Sequence, residues 1–196
     1  MQLLLNASSP YARVARVAAL ERGLGERLEL CWVDPWADDA RLLAASPVGR
    51  VPVLIAADGR AVAETLLIAL ELDRLGDAPT LFPPGDCLVL AGIGQGLMDA
   101  AFASVIARKH QGAAADNSEL EQRRRRAIQR CLRRLDDLLG RGERVQLDIG
   151  AISVGVALAY LRFRLPGIDW WNAYPGLSAW YDRIGQRPAF LATAFQ

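Results

Sequence analysis

The chain contains few of the residues that build metal centres and disulfide scaffolds. It has three cysteines and one histidine among 196 residues. Cys31, Cys87 and Cys131 lie far apart and form no Cys-x-x-Cys pair. An odd number of widely spaced cysteines argues against a disulfide framework, a zinc site and dithiol chemistry. We therefore expect no bound metal and a reducing compartment.

The chain also lacks an excess of charge of either sign, and Lys109 is its only lysine. A net charge of +1 gives no bulk attraction to nucleic acid or to an anionic membrane. The one basic cluster, around Arg123–Arg126, shares its predicted helix with Glu119 and Glu121, which indicates a solvated helix face. We expect no nucleic-acid partner.

Long uninterrupted apolar runs are missing as well. The first six residues have no basic leading segment, and Gly92, Gly94, Gly96 and Asp99 interrupt the apolar stretch 88–106. A signal peptide needs a basic leading segment, and a membrane-spanning helix needs an unbroken apolar run. We therefore expect neither of them, no membrane partner and a cytoplasmic location.

Short apolar strands alternate with helical spacing over residues 1–76. The predicted order is βαβαββα, and Asp58-Gly59 predicts a tight hairpin between the last two strands. A crossover helix implies a parallel strand pair and a hairpin implies an antiparallel one, so the sheet should be mixed. This α/β pattern is similar to a thioredoxin-like domain. The predicted strands are Gln2–Asn6, Leu28–Trp32, Pro52–Ala56 and Arg60–Ala63.

The second half of the chain has no strand signal. Residues 77–86 contain Pro79, Pro83, Pro84 and Gly85, which predicts a linker between two domains. Apolar spacing beyond it is helical, so residues 87–196 should form an all-α C-terminal domain. The predicted helices are Leu88–His110, Ser118–Leu139, Ile149–Arg164 and Leu177–Arg187.

The pattern Gly92-x-Gly94-x-Gly96 is only superficially similar to a dinucleotide-binding fingerprint. Its spacing differs, and it follows no predicted strand. It predicts close helix packing or a dimer contact instead.

The segment Ser46-Pro47-Val48-Gly49-Arg50-Val51-Pro52 opens the third predicted strand. It is similar to the Asn-Pro-x-Gly-Lys-Val-Pro stretch of cytosolic glutathione S-transferases, with Arg50 in the place of lysine. Residues 96–101, 163–170 and 175–181 resemble a bacterial branch of that family, and Ser9 resembles its serine-type members. The resemblance implies a cis Val51–Pro52 bond, with the main-chain edge of Val51 open to glutathione.

Glu64-Thr65 follows the fourth strand, where the family carries Glu-Ser or Asp-Ser. The resemblance implies that the carboxylate of Glu64 binds the γ-glutamyl ammonium of glutathione. Thr65 keeps the hydroxyl that would bind the γ-glutamyl carboxylate together with the free amides of a helix N-terminus. Thr65 can cap the helix at the same time.

Ser9 directly precedes Pro10 at the start of the first helix. The resemblance places it where serine-type relatives contact the glutathione sulfur, so its hydroxyl would stabilise the thiolate. A serine cannot form a mixed disulfide, which disfavours the thiol-transfer chemistry of cysteine-type relatives. Ser8 is the competing candidate, and both serines could serve only as helix caps.

Three residues are candidates for a second-substrate pocket. Tyr11 follows the serines, while Phe102 and His110 lie on the long helix where relatives build the electrophile pocket. No Ser-His-Asp arrangement accompanies His110, so a hydrolytic triad is unsupported. A histidine favoured at a helix end by the dipole is the simpler interpretation.

The resemblance implies a homodimeric glutathione S-transferase with glutathione as co-substrate. Such an enzyme activates the glutathione thiolate for attack on a small hydrophobic electrophile, as in detoxification. Two alternatives stay open: a non-catalytic protein-interaction or regulatory module, and a glutathione-dependent isomerase or dehalogenase.

Overall fold

The computed structural model of the chain describes residues 1–141 and 147–195. Residues 142–146 and 196, which belong to the predicted C-terminal domain, lie outside the described residues. In the described parts of the chain, the regular elements in chain order are β1 (Gln2–Leu5), α1 (Pro10–Glu21), β2 (Glu29–Trp32), α2 (Ala40–Ala45), β3 (Val53–Ile55), β4 (Ala61–Ala63), α3 (Thr65–Leu75), α4 (Cys87–Gln111), α5 (Glu119–Leu139), α6 (Ile149–Arg164), α7 (Trp170–Ala173), α8 (Pro175–Gly185) and α9 (Pro188–Ala192).

The strands form one four-stranded sheet in the order β2-β1-β3-β4. β1 is parallel to β2 and antiparallel to β3, and β3 is antiparallel to β4. The predicted mixed sheet and the βαβαββα order are confirmed. β3 begins one residue later than predicted, at Val53, because Pro52 has no N–H to donate to the ladder.

The chain divides into two compact units. The first unit is Met1–Pro83 together with the chain from Pro188 onward, and the second unit is Pro84–Arg187. The sequence-based limits of 1–76, 77–86 and 87–196 put the last segment in the helical domain, whereas in the structure residues 188–195 pack with α1. Those domain limits stay a prediction.

In the first unit, the sheet is covered on both faces. Leu4 and Val53 form an apolar cluster with Cys31 of β2 and Leu42 of α2 on one face. Side chains alternate across a strand, so the fully buried Leu3 and Leu54 face the other side, and α1 and α3 pack against each other. This burial of both faces explains why β1 and β3 are almost entirely apolar in sequence.

Arg22 ties the end of α1 to the end of α3. Its Nε lies 3.1 Å from Asp73 Oδ1, and its Nη2 donates to the main-chain carbonyls of Asp73, at 2.7 Å, and Gly76. Asp73 in turn accepts hydrogen bonds from the amide of Leu81 and the hydroxyl of Thr80, both at 2.7 Å. The buried guanidinium therefore fixes the path of the chain as it leaves α3.

In the second unit, α6 is the central helix. Every residue from Ile149 to Leu161 is buried, and α6 packs along α4. Its start is capped by the buried Asp148, whose Oδ1 accepts from the amide of Ala151 at 2.9 Å. The predicted all-helical organisation is confirmed for the described residues. The last predicted helix begins earlier, at Pro175, because proline is favoured at the first helical position.

In the described ranges, one stretch has the length and apolar composition of a membrane-spanning helix. It is Cys87–Asn117, which comprises α4 and the 3₁₀ turn after it and contains an 18-residue window with a mean hydropathy of 1.5. One such helix is weak evidence for a membrane span, because core helices meet the same criterion. Buried positions of α4 include Leu90, Leu97 and Met98.

Candidate functional site

Three loops leave the sheet at the same end. The register pairs Leu4 of β1 with Val53 of β3, and Val53 with Ala63 of β4. Since β3 runs antiparallel to both neighbours, its first residue lies beside the last residues of β1 and β4. The loop that contains Ser9, the loop before β3 and the turn that opens α3 therefore converge at this end of the sheet.

Ser9 is the N-cap of α1. Its side-chain oxygen accepts a hydrogen bond from the amide of Ala12 at 3.1 Å, and the residue is buried. A hydroxyl has one donor in addition to its lone pairs, so Ser9 can cap the helix and still donate to a ligand. Ser8 is half-buried in the turn before the helix, and among the described residues its side chain makes no capping bond.

The Val51–Pro52 peptide bond is cis, as the family resemblance implies. Val51 is half-buried and Pro52 is buried, whereas Arg50 is exposed. Within residues 1–141 and 147–195, the N–H and C=O of Val51 have no main-chain partner. Main-chain groups of this kind can pair with an extended peptide as an added strand does.

Glu64 and Thr65 form the start of α3. Thr65 is buried as the first helical residue, and Glu64 is exposed in front of it. The amides of the first turn have no partner within the helix, which makes this end of α3 an anion-binding position. Glu64 has φ 71° and ψ 128°, a conformation that is rare for any residue except glycine. Such outliers cluster at ligand-binding positions.

The three candidates for a second-substrate pocket are distributed over both units. Tyr11 is half-buried in the first turn of α1, in the first unit. Phe102 is half-buried in the middle of α4, and His110 is exposed in its last turn. Their shared pocket stays a prediction.

Sequence reasoning missed Arg13, which lies one helical turn after Ser9. Its side chain is only 6% exposed, and its Nη2 donates to the carbonyl of Phe190 at 3.0 Å. The available signal was its position on the buried face of α1 beside Val14 and Val17, where an arginine predicts a buried charge that needs partners.

Potential metal ligands are scattered. In the part of the chain that the structure describes, no three His, Cys, Asp or Glu side chains assemble into a metal-binding group. Within the described residues, none of the three cysteines forms a disulfide: Cys31 and Cys87 are buried, and Cys131 is half-buried.

Chemically, the site combines two helix N-termini, a hydroxyl that can donate, a carboxylate and an open main-chain edge. This set is chemically suited to a small zwitterionic, peptide-like ligand and to an anionic group beside Ser9. The mixed sheet and the helical second unit together have the glutathione S-transferase fold.

Comparison with known proteins supports the same fold. Residues 8–75 match the glutathione S-transferase N-terminal domain, and residues 113–183 match the glutathione S-transferase C-terminal domain. A glutathione transferase family member from Pseudomonas fluorescens Pf-5, solved with bound glutathione, is 32% identical, with a TM-score of 0.91 and coverage of 100% of this chain and 98% of that chain.

Two further relatives are similar over nearly their whole length. A glutathione S-transferase from Methylobacterium radiotolerans, solved with glutathione sulfonate, is 29% identical, with a TM-score of 0.87 and coverage of 98% of this chain and 93% of that one. The uncharacterized GST-like protein YibF of Escherichia coli is 28% identical over 201 residues, 98% of each chain. The chain belongs to the glutathione S-transferase family.

Proposed function

We propose that this protein is a glutathione S-transferase that binds glutathione where the three loops converge and activates its thiol. The observation that carries the proposal is the convergence itself: Ser9, Val51 and Thr65 follow or precede adjacent strands at one end of the sheet. The bound glutathione in the Pseudomonas fluorescens relative supports the choice of ligand.

The cysteinyl and γ-glutamyl parts of glutathione each have a complementary group. The unpartnered N–H and C=O of Val51 pair with the main chain of the cysteinyl residue, and Pro52 and Arg50 complete that wall. The carboxylate of Glu64 binds the γ-glutamyl ammonium. Thr65 and the first-turn amides of α3 bind the γ-glutamyl carboxylate.

Ser9 supplies the chemistry at sulfur. Its O–H donates to the thiolate, while its oxygen keeps the hydrogen bond from Ala12. The thiol of free glutathione titrates near a pKa of about 8.5, and each unit of depression needs about 1.36 kcal/mol of preferential thiolate stabilisation. The thiol proton leaves to solvent, and the thiolate then attacks a small hydrophobic electrophile. Either the new carbon–sulfur bond replaces the bond to a leaving group such as halide, which departs to solvent, or the sulfur adds to an activated double bond that then takes up a proton.

We further infer a cytoplasmic homodimer. The first turn of α4 exposes two large apolar side chains, Leu88 at 63% and Val89 at 53%, which favours contact with a second copy. The free cysteines support a reducing compartment. Sedimentation analysis of the protein and of Leu88→Asp tests the contact: the dimer should dissociate in the variant.

Calorimetric titration with glutathione tests the function. Glu64→Ala should weaken binding about tenfold to a hundredfold, because it removes a charge-assisted hydrogen bond. Ser9→Ala should bind glutathione but raise the pKa of the bound thiol, read by thiolate absorbance, by about one unit.

Ser8→Ala is the matched control and should behave like the unaltered protein. If the unaltered protein binds no glutathione, the proposal is wrong and a protein-interaction module is the better interpretation. If Ser8→Ala and not Ser9→Ala raises the thiol pKa, the donor is Ser8. Product analysis with aryl halides, haloalkanes and isomerisable enones separates conjugation from dehalogenation and isomerisation.

A further inference from the structure

Arg13 joins α1 to the last part of the described chain. Its Nη2 donates to the carbonyl of Phe190 at 3.0 Å, and its Nε donates to Oγ1 of Thr193 at 3.4 Å. The guanidinium carbon lies 4.6 Å from the ring centroid of Phe195 and 5.8 Å from that of Phe190. The Arg13 side chain is therefore enclosed by Phe190 and Thr193, which lie 177 and 180 residues further along the chain.

Phe190, Thr193 and Phe195 form a hydrogen-bonded socket that fixes the Arg13 side chain. Arg13 and Thr193 are both buried, and the Thr193 hydroxyl also donates to the carbonyl of Ala189 at 2.8 Å. The neighbouring Arg16 donates to the carbonyl of Ala192 at 3.4 Å. Arg13 and Arg16 of α1 thus donate hydrogen bonds to main-chain carbonyls at the end of α9. Carbonyls at a helix end have no partner within the helix itself.

The socket lies one helical turn from the proposed thiolate donor. The amide of Arg13 donates to the carbonyl of Ser9 at 3.1 Å, and the amide of Ala12 donates to the Ser9 hydroxyl oxygen at 3.1 Å. These two bonds close the first turn of α1. The first turn of a helix frays unless its ends are held, so a fixed Arg13 also fixes the Ser9 side chain.

We propose that residues 188–195, by enclosing Arg13, hold the first turn of α1 in the orientation that directs the Ser9 hydroxyl at the glutathione sulfur. Arg13 is a positioning residue, and the C-terminal segment is part of the machinery of the site although it supplies no ligand contact. This inference rests on the proposed role of Ser9. It adds that the role depends on a segment distant in sequence.

The sharpest test changes only the C-terminal segment. Thr193→Val removes the acceptor for Arg13 Nε without changing size, and Phe195→Leu removes the aromatic face. Leu191→Ala is the matched control, because Leu191 lies on the same segment and is 58% exposed. Arg13→Lys keeps the charge but loses the planar fork that binds carbonyl and hydroxyl together. Thermal unfolding of every variant first establishes that it is folded.

Two measurements follow. We expect the double variant Thr193→Val/Phe195→Leu to raise the pKa of the bound glutathione thiol by about one unit, and we expect the same of Arg13→Lys. This shift makes the thiolate fraction at neutral pH roughly tenfold smaller. Amide hydrogen exchange of Ala12, measured without glutathione, should accelerate in both. Leu191→Ala should change neither quantity.

The outcomes are decisive in either direction. If the double variant is folded and keeps the Ala12 exchange rate of the unaltered protein, the inference is overturned. An accelerated exchange with an unchanged thiol pKa also overturns it, because the turn is then held without consequence for Ser9. An unaltered protein that binds glutathione without lowering its thiol pKa removes the proposed role of Ser9, and the inference with it. In that case the exchange rates still report whether the segment holds α1, which separates the two failures.

Discussion

Glu64 combines a proposed contact to glutathione with a conformational cost. A non-glycine residue at φ 71° and ψ 128° costs on the order of 1–3 kcal/mol. Its side chain makes no capping bond at the start of α3, so the helix gains nothing from it there. The cost is what the proposed role predicts, because the strained backbone sets the position of the Glu64 carboxylate without stabilising the helix.

Two substitutions at this position should therefore separate stability from binding. We expect Glu64→Gly to raise the free energy of unfolding by about 1 kcal/mol, since glycine adopts positive φ without strain. Glu64→Ala retains the strained backbone and should give no such gain. Both should lose glutathione affinity alike. Urea denaturation and calorimetry on the three proteins measure the two effects, and a Glu64→Gly protein less stable than Glu64→Ala would refute the account.

The sequence indicates candidate site residues but carries little information on their geometry. Ser9 before Pro10 predicts an N-cap, and the structure has that capping bond. The motif around Val51 indicates a ligand-binding loop because its residues recur in a known family. The backbone of Glu64 left no trace in the sequence, because a strained φ is imposed by the surrounding fold and not by local preference.

Among the elements, the close packing of α4 against α6 depends on one glycine, Gly94. A Cβ on Gly94 would lie 2.7 Å from the carbonyl carbon of Ser153 and 2.8 Å from the amide nitrogen of Val154. The same atom on Gly92 or Gly96 would meet nothing within 4 Å. The predicted close helix packing is therefore a property of Gly94, the middle member of the glycine series.

Replacing the glycines of α4 by alanine should change the free energy of unfolding in opposite directions at different positions. We expect Gly94→Ala to lower the free energy of unfolding by about 1–3 kcal/mol, because the helix backbones must separate. Gly92→Ala and Gly96→Ala should raise it by up to about 1 kcal/mol, since alanine is the better helix former. Chemical denaturation of dilute protein, in which self-association does not contribute, measures all three. Equal effects at the three positions would contradict this packing.

Element limits could be predicted where the signal is local. Regular apolar spacing over Thr65–Leu75, with Gly76 directly after it, predicts a helix with the limits that α3 has in the structure. The placement of residues 188–195 could not be predicted in this way. Its contacts with Arg13 span 177 and 180 residues, and apolar periodicity reports only on near neighbours.

On the scale of the whole molecule, alkaline stability should depend on the buried Tyr160 of α6. Burial raises the pKa of Tyr160 from its ordinary 10.0 to about 12, partly offset by the charge of Arg164. Between these values the unfolded chain releases this proton and the folded protein keeps it. The stability contributed by neutral Tyr160 is therefore complete below pH 10 and is lost as the pH approaches 12.

Tyr160→Phe should weaken the fall in the free energy of unfolding at alkaline pH. We expect the free energy of unfolding of the unaltered protein to fall between pH 10 and 12 by about 2 kcal/mol more than that of the variant. At pH 8 the difference between the two proteins should be constant, which is the internal control. Guanidinium denaturation over this range measures both curves, and parallel curves up to pH 12 would contradict the shift.

The return of residues 188–195 to α1 has a consequence for synthesis. Domains commonly fold in the order in which they emerge from the ribosome, the N-terminal one first. Here the nascent chain carries Ser9 and the whole sheet long before Phe190 and Thr193 are made, so the contacts of Arg13 with these two residues form only after the helical unit has been translated. The proposed glutathione site therefore gains the contacts that position Ser9 only after residues 188–195 have been translated.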